Sequence, residues 1–123
     1  MLFLPFGCYT AVLILNRVVS SQTNIDLNII AGAISVYLLL GVTWAVTYRL
    51  MEQWVPGSFE LNASNSSEFH QYLYFSFTTL TTLGYGDMVP LKPFARTWAI
   101  FESTTGVFYV AVLIARLVSV YRR

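Results

Sequence analysis

Seven consecutive residues, Thr81-Thr82-Leu83-Gly84-Tyr85-Gly86-Asp87, carry the most specific chemistry in the chain. A cation stripped of its hydration shell needs oxygen ligands in place of the lost waters. Backbone carbonyls serve if successive ones point toward a common axis. A strand of L-residues alternates their direction, so aligning them requires residues that tolerate φ > 0. Glycines at alternate positions supply that freedom. Gly84 and Gly86 stand at such positions, and Thr82 can add its hydroxyl as the innermost ligand. One chain provides one wall of such a site. Surrounding an ion takes several copies about a rotation axis, a closed cyclic oligomer. A Gly-x-Gly alone is a mere turn, and the neighbouring elements decide whether it is more.

Those elements read as parts of a membrane protein. Of the 123 residues 56% are hydrophobic and 11% charged, against roughly 25% charged in ordinary soluble domains. So little charge cannot cover a small globule with water-facing groups, whereas a lipid-facing surface accounts for the shortfall. The run Ile29–Tyr48 has no charged residue, and as a helix it is about 30 Å long, the thickness of the hydrocarbon core. It is apolar on all sides, unlike the core helix of a soluble domain. Arg49 and Glu52 mark its end, with Trp44, Tyr48 and Trp54 placed as an interfacial aromatic belt. A second long helix is expected over Pro93–Tyr121, with Pro93 suited to the first turn. Its stretch Val107–Ala115 is unbroken and apolar, and Arg116, Arg122 and Arg123 close it at the other membrane face.

Between the two, Pro56–Ser67 reads as a water-exposed turret. It contains two glycosylation triplets, Asn62-Ala63-Ser64 and Asn65-Ser66-Ser67. Phe69–Thr81 follows, aromatic and threonine-rich, too short to cross a bilayer and ending in the Gly-Tyr-Gly turn. The natural reading is a half-helix that enters and returns. Irregular backbone at that depth survives where protein surrounds it or where it lines a water-filled cavity. The C-terminal end of the half-helix, near Thr81, carries partial negative charge and favours a cation. Met1–Leu15 is apolar but holds Pro5 and precedes Asn16 and Arg17, and no basic region opens it as in a cleaved signal peptide. It reads as either a short extra span or a helix lying along the membrane. The expected division is an N-terminal apolar segment and linker, residues 1–28, and a pore domain, residues 29–123.

Thr82-Leu83-Gly84-Tyr85-Gly86-Asp87 resembles the potassium-channel signature, and the layout from Ile29 to Tyr121 resembles the two-helix-plus-pore-loop module of prokaryotic potassium channels. The resemblance implies an all-α membrane protein of outer helix, re-entrant pore helix and filter, and inner helix. It implies the tetrameric potassium-channel pore fold, a homotetramer whose partners would be three further copies and membrane lipid. It implies K⁺ as the permeant ion, with no cofactor. The carbonyls of Thr82, Leu83, Gly84 and Tyr85 and the Thr82 hydroxyl would coordinate it, and Gly86 would sit at the extracellular mouth. Asp87 would lie behind the filter and bond to Tyr74, a position where many relatives have tryptophan. Leu83 stands where the family usually has valine, but only its carbonyl would touch the ion. Gly106 falls at the family's gating hinge, although a lone mid-helix glycine equally permits close packing. The filter would face outward in the cell membrane, plasma or bacterial inner, with Arg122 and Arg123 cytoplasmic. The outer region Arg49–Arg96 holds three basic and four acidic residues, in keeping with that orientation.

Glu102 is the one carboxylate well inside a spanning helix. Such residues usually face the protein interior and have partners. Two readings stand: a brace for the back of the filter through a pore-helix hydroxyl such as Thr78, or a glutamate that reaches water at the outer mouth. His70 opens the pore helix either as an acid sensor or as a solvated residue. The lone Cys8 permits no internal disulfide and reads as an apolar filler. The seven basic residues are scattered, unlike the patch that nucleic acid requires. With no paired carboxylates, nucleophile–base pair or metal cluster, an enzyme is not expected. A channel of relaxed selectivity would have a degraded filter, and a potassium-uptake transporter would carry four degenerate units in one chain.

Overall fold

The computed structural model of the chain describes residues 27–60 and 68–121. In order these form α1 (Leu27–Trp54), β1 (Phe59–Glu60), α2 (Glu68–Leu80), β2 (Val89–Pro90) and α3 (Pro93–Tyr121). α3 has the bounds expected from sequence, and α2 starts and stops one residue earlier than expected. α1 runs six residues past Tyr48, through Arg49, Leu50 and Met51, all good helix formers. It stops where Pro56 disfavours helical backbone at Val55 and where Gly57 turns the chain at φ 78°. Within them Ile29–Trp54 and Pro93–Ser119 are each long and apolar enough to cross a membrane.

Each long helix buries one seam. On α1 the buried positions are Ala33, Val36, Leu40, Gly41, Ala45, Thr47 and Tyr48, which follow the helical period, while Ile34, Leu38, Leu39 and Val42 stay exposed. On α3 the seam is Ala95, Glu102, Gly106 and Tyr109, with Ile100, Phe101, Val107 and Phe108 exposed. α2 lies in the angle between these seams and packs on both, chiefly on α1. An apolar exterior around a narrow buried seam is the pattern for helices that face lipid and other copies.

The densest packing is aromatic. The Tyr48 ring meets Phe75 and Phe59 edge-on, at centroid distances of 5.1 and 5.3 Å, and Phe59 meets Tyr72 at 5.8 Å. Edge-to-face contacts of this kind add about 0.5–1.5 kcal/mol each beyond their buried area. The expected aromatic belt is corrected at this point. Tyr48 is 0% exposed, because the helical period places it on the seam with Ala45. Trp44 lies partly buried against Tyr48 and Trp98, and Trp54 alone of the three is largely exposed.

The segment read as an exposed turret also needs correcting at its start. Ser58 and Phe59 are buried, and β1 pairs with β2 antiparallel, Phe59 opposite Pro90 and Glu60 opposite Val89. Leu91 N donates to the Ser58 carbonyl at 2.7 Å. The chain leaving α1 is thereby stitched to the chain entering α3. The Asn62 and Asn65 triplets, Met1–Leu15, Cys8, Arg122 and Arg123 lie outside the described residues.

Glu52 sets the exit from α1. Its carboxylate accepts from three successive backbone amides, Gly57 N at 2.6 Å, Ser58 N at 2.9 Å and Phe59 N at 3.1 Å. Hydrogen bonds to a charged group contribute about 1.5–3 kcal/mol where their loss leaves partners unpaired. Glu52→Ala is expected to destabilise the chain by about 2 kcal/mol. Thermal unfolding of the detergent-solubilised protein measures this, and an unchanged midpoint would mean that water replaces the carboxylate without loss.

Candidate functional site

α2 has 13 residues, a length of about 20 Å, well short of a membrane core of about 30 Å. Its last turn tightens. Thr81 N donates to Phe77 O at 3.1 Å, whereas Thr82 N reaches only three residues back, to Thr79 O at 3.0 Å. Gly84 N then folds back to the Thr78 carbonyl at 3.0 Å. The extended stretch Thr82–Gly86, the strand referred to below, therefore starts at the C-terminal end of the half-helix, where the helix dipole places negative partial charge.

Along that strand positive φ recurs at every second residue: Thr82 at 59°, Gly84 at 52° and Gly86 at 75°, with Leu83 and Tyr85 between them outside that region. In a pleated strand successive carbonyls point to opposite sides. Left-handed residues at alternate positions cancel that reversal and turn them toward one side. The glycines take this conformation freely, but Thr82 is β-branched and does not. A left-handed residue of its kind costs about 1–2 kcal/mol and persists only where its surroundings impose it. Here its N–H is held by Thr79, and its Oγ1 donates to the Thr81 carbonyl at 2.6 Å. That bond uses the hydroxyl proton and leaves the oxygen lone pairs available to a cation.

Side chains of α2 stand behind the strand. The Tyr74 and Tyr85 rings lie parallel with centroids 6.5 Å apart, and Tyr74 OH donates to Asp87 Oδ2 at 2.8 Å. The structure thus brings Tyr74 and Asp87 together across 13 residues of sequence. Residues 81–87 are all exposed on the single chain, Tyr85 to 68%. Beside them an open hollow of about 340 Å³ is lined by His70, Leu73, Tyr74, Phe77 and Leu83 among others.

Glu102 is 0% exposed, so it does not reach water at a mouth. The expected partner is corrected, however. The Thr78 hydroxyl donates to the Phe75 carbonyl of its own helix at 2.9 Å. Glu102 instead meets Ser76 Oγ at 2.5 Å through Oε1, and Tyr48 OH at 2.5 Å through Oε2. Ser76 and Thr78 sit about 200° apart around the helix axis, so the rotation of α2 selects which of them faces α3. Thr78 bears on the strand through its backbone, as acceptor for Gly84 N.

Gly106 lies against the end of the half-helix. A Cβ there would stand 2.1 Å from the Leu80 carbonyl oxygen, so glycine is what lets α3 touch the α2 backbone. This geometry is close packing, and α3 runs through Gly106 without a break. The same carbonyl accepts from Tyr37 OH at 3.3 Å, and Tyr109 OH donates to Ala33 O at 2.6 Å. Tyr37, Gly41, Tyr48, Ser76 and Tyr109 carry no motif. The helical period places Ser76 on one face with Tyr72 and Leu80, which is the one sequence signal that points to it.

Two apolar spanning helices, a half-helix wedged between them and an exposed strand of alternately left-handed residues define a pore-forming membrane protein. The family model described as "Ion channel" matches residues 33–123. The chain belongs to that family, and it is a channel protein, not an enzyme. Two pore potassium channel c of Oryza sativa subsp. japonica is 34% identical to it over 83 residues, 68% of this chain and 17% of the rice protein. The chain thus spans a small part of that relative's length. Its architecture is that of the potassium-channel pore module: an all-α membrane protein in which α1 is the outer helix, α2 the re-entrant pore helix and α3 the inner helix.

Proposed function

We propose that four copies of this chain form a potassium-selective channel that conducts dehydrated K⁺ passively. The observation that carries this reading is the alternation of positive φ at Thr82, Gly84 and Gly86. Such a strand presents consecutive carbonyls to one side, and four of them around an axis replace a hydration shell. The carbonyls of Thr82, Leu83, Gly84 and Tyr85, with the Thr82 hydroxyl, are the ligands. Gly86 forms the mouth, while Asp87 and Tyr74 hold the strand from behind. The potassium channel from rice supports the choice of ion, since the likeness covers 68% of this chain.

Assembly follows from exposure. Leu83 and Tyr85 are 57% and 68% exposed beside the apolar hollow on α2, and their irregular backbone, which lipid cannot satisfy, is tolerated at membrane depth where other copies surround it or where it lines a water-filled cavity. In the cell membrane the filter faces outward, and the C-terminal end of α3 lies in the cytoplasm.

The test is the reversal potential of the purified protein in planar bilayers with unequal potassium and sodium. It is expected to track the potassium gradient. A potential that follows sodium equally well would leave a cation channel without selectivity.

A further inference from the structure

Behind the filter strand, three buried side chains and one backbone carbonyl form a chain of contacts that spans all three helices. Tyr48 OH of α1 meets Glu102 Oε2 of α3 at 2.5 Å. Glu102 Oε1 meets Ser76 Oγ of α2 at 2.5 Å. Ser76 Oγ also meets the Gly41 carbonyl of α1 at 2.7 Å. The close approach of α1 to α2 makes the last contact possible, since a Cβ on Gly41 would stand 2.6 Å from the Phe77 ring. Tyr48, Ser76 and Glu102 are each 0% exposed, so bulk water does not reach these side chains.

Counting protons decides the state of this group. Three short oxygen–oxygen contacts need three protons. Tyr48 brings one and Ser76 brings one, and a carbonyl oxygen accepts only. The serine proton is required by Gly41, whose oxygen has nothing to donate. The contact between Ser76 and Glu102 then lacks a proton unless the carboxyl supplies it. An ionised Glu102 would set two acceptors, its own Oε1 and the Gly41 carbonyl, in competition for a single serine proton. It would also bury a charge whose partners among the described residues are hydroxyls, with no lysine or arginine among them. A buried carboxylate without a cation costs several kcal/mol.

We infer that Glu102 is held as a neutral carboxylic acid that donates its proton to Ser76, and that it ties the three helices together only while protonated. The order is then complete: Tyr48 O–H to Oε2, Glu102 O–H to Ser76 Oγ, Ser76 O–H to the Gly41 carbonyl. Each oxygen that must donate does so once, and each that can only accept receives. Glu102 touches no ion and is a positioning residue. Ser76 lies one turn before Leu80, and Gly106 lies one turn beyond Glu102, so the tie sits beside the contact between α3 and the end of the half-helix. The titratable groups that face the acid are the phenols of Tyr48 and, less closely, Tyr37, both on α1; α2 faces it with the Ser76 hydroxyl. Loss of the acid proton removes one of the three links and places a charge where only hydroxyls receive it.

Infrared difference spectroscopy of the full chain in lipid at neutral pH tests the protonation directly, with Glu102→Gln as the reference. The expected result is a carboxylic-acid carbonyl band in the wild type that shifts in D₂O and is absent in Glu102→Gln. Loss of carboxylate bands instead overturns the inference. Ser76→Ala is expected to shift the acid band, since the acid loses its acceptor; a band that stays put would mean that the proton goes elsewhere. In potassium flux from vesicles, Glu102→Ala is expected to fall several-fold while Glu102→Gln, which can donate through its amide and accept through its carbonyl, is rescued. Wild-type flux is expected to fall several-fold on alkalinisation and Glu102→Gln flux to stay level. Identical pH profiles in the two would overturn the proton dependence. The infrared readout does not require conduction, so its failure is separable from failure of the channel reading.

Discussion

Gly84→Ala is expected to abolish potassium current while leaving expression and membrane insertion at wild-type levels. The effect arises in the backbone, because a Cβ at Gly84 meets nothing within 4 Å in the single chain. At φ 52° an L-residue is disfavoured by about 1–2 kcal/mol. Relaxing toward negative φ would reverse the adjoining peptide and pull Gly84 N from the Thr78 carbonyl, which it meets at 3.0 Å. In the proposed ring of four the penalty recurs in every subunit, about 4–8 kcal/mol in all. At about 1.4 kcal/mol per tenfold, the aligned arrangement becomes roughly a thousandfold rarer or more. Bilayer recordings set against the amount of protein in the membrane fraction measure this. Wild-type current in the variant would remove the role given to left-handed glycine.

Gly106→Ala is expected to lower the thermal midpoint of the solubilised protein by several degrees. The new methyl would lie 2.1 Å from Leu80 O and 3.0 Å from Leu80 C. A comfortable carbon–oxygen approach is about 3.3–3.6 Å, so α3 must retreat from α2 by roughly 1.2 Å. Leu80 cannot yield instead. Its carbonyl is the acceptor for Tyr37, and α2 is held to the strand beyond it by the amides of Thr81, Thr82 and Gly84. Overpacking of this sort costs about 1–3 kcal/mol. The result separates the two readings of Gly106. A hinge alone would change opening while the midpoint stays where it was, whereas a packing contact lowers the midpoint whatever happens to opening.

Much of the architecture is legible without coordinates, because membrane spans and half-helices are defined by length and polarity, which are local properties. Pro93–Tyr121 needs only an apolar run, a first-turn proline and the arginines Arg116, Arg122 and Arg123 that flank its close. The half-helix needs only to be too short to cross and to end in Gly-Tyr-Gly. Partner choice is not local. Tyr48 reads as a belt residue by its type and its place near the end of a span, yet the carboxyl that accepts its hydrogen bond lies 54 residues away. Composition likewise hides β1 and β2, since two residues per strand are too few for any period to appear.

By itself the sequence determined the chemistry of the strand, because only residues free to adopt positive φ at alternate positions allow it, and Gly84 and Gly86 are written in the chain. It also determined the two spans and the membrane class, through charge too sparse to cover a soluble surface. Only the tertiary structure decided that Thr82 joins the glycines in the left-handed region, because the N–H to Thr79 and the hydroxyl bond to Thr81 belong to the end of α2. Only it decided that Ser76, not Thr78, meets Glu102, and that Gly106 closes on Leu80. The physical reason is the same in each case. A helix specifies which residues share a face, but the rotation of that face toward its neighbours is set by packing among side chains from all three helices, which no single segment contains.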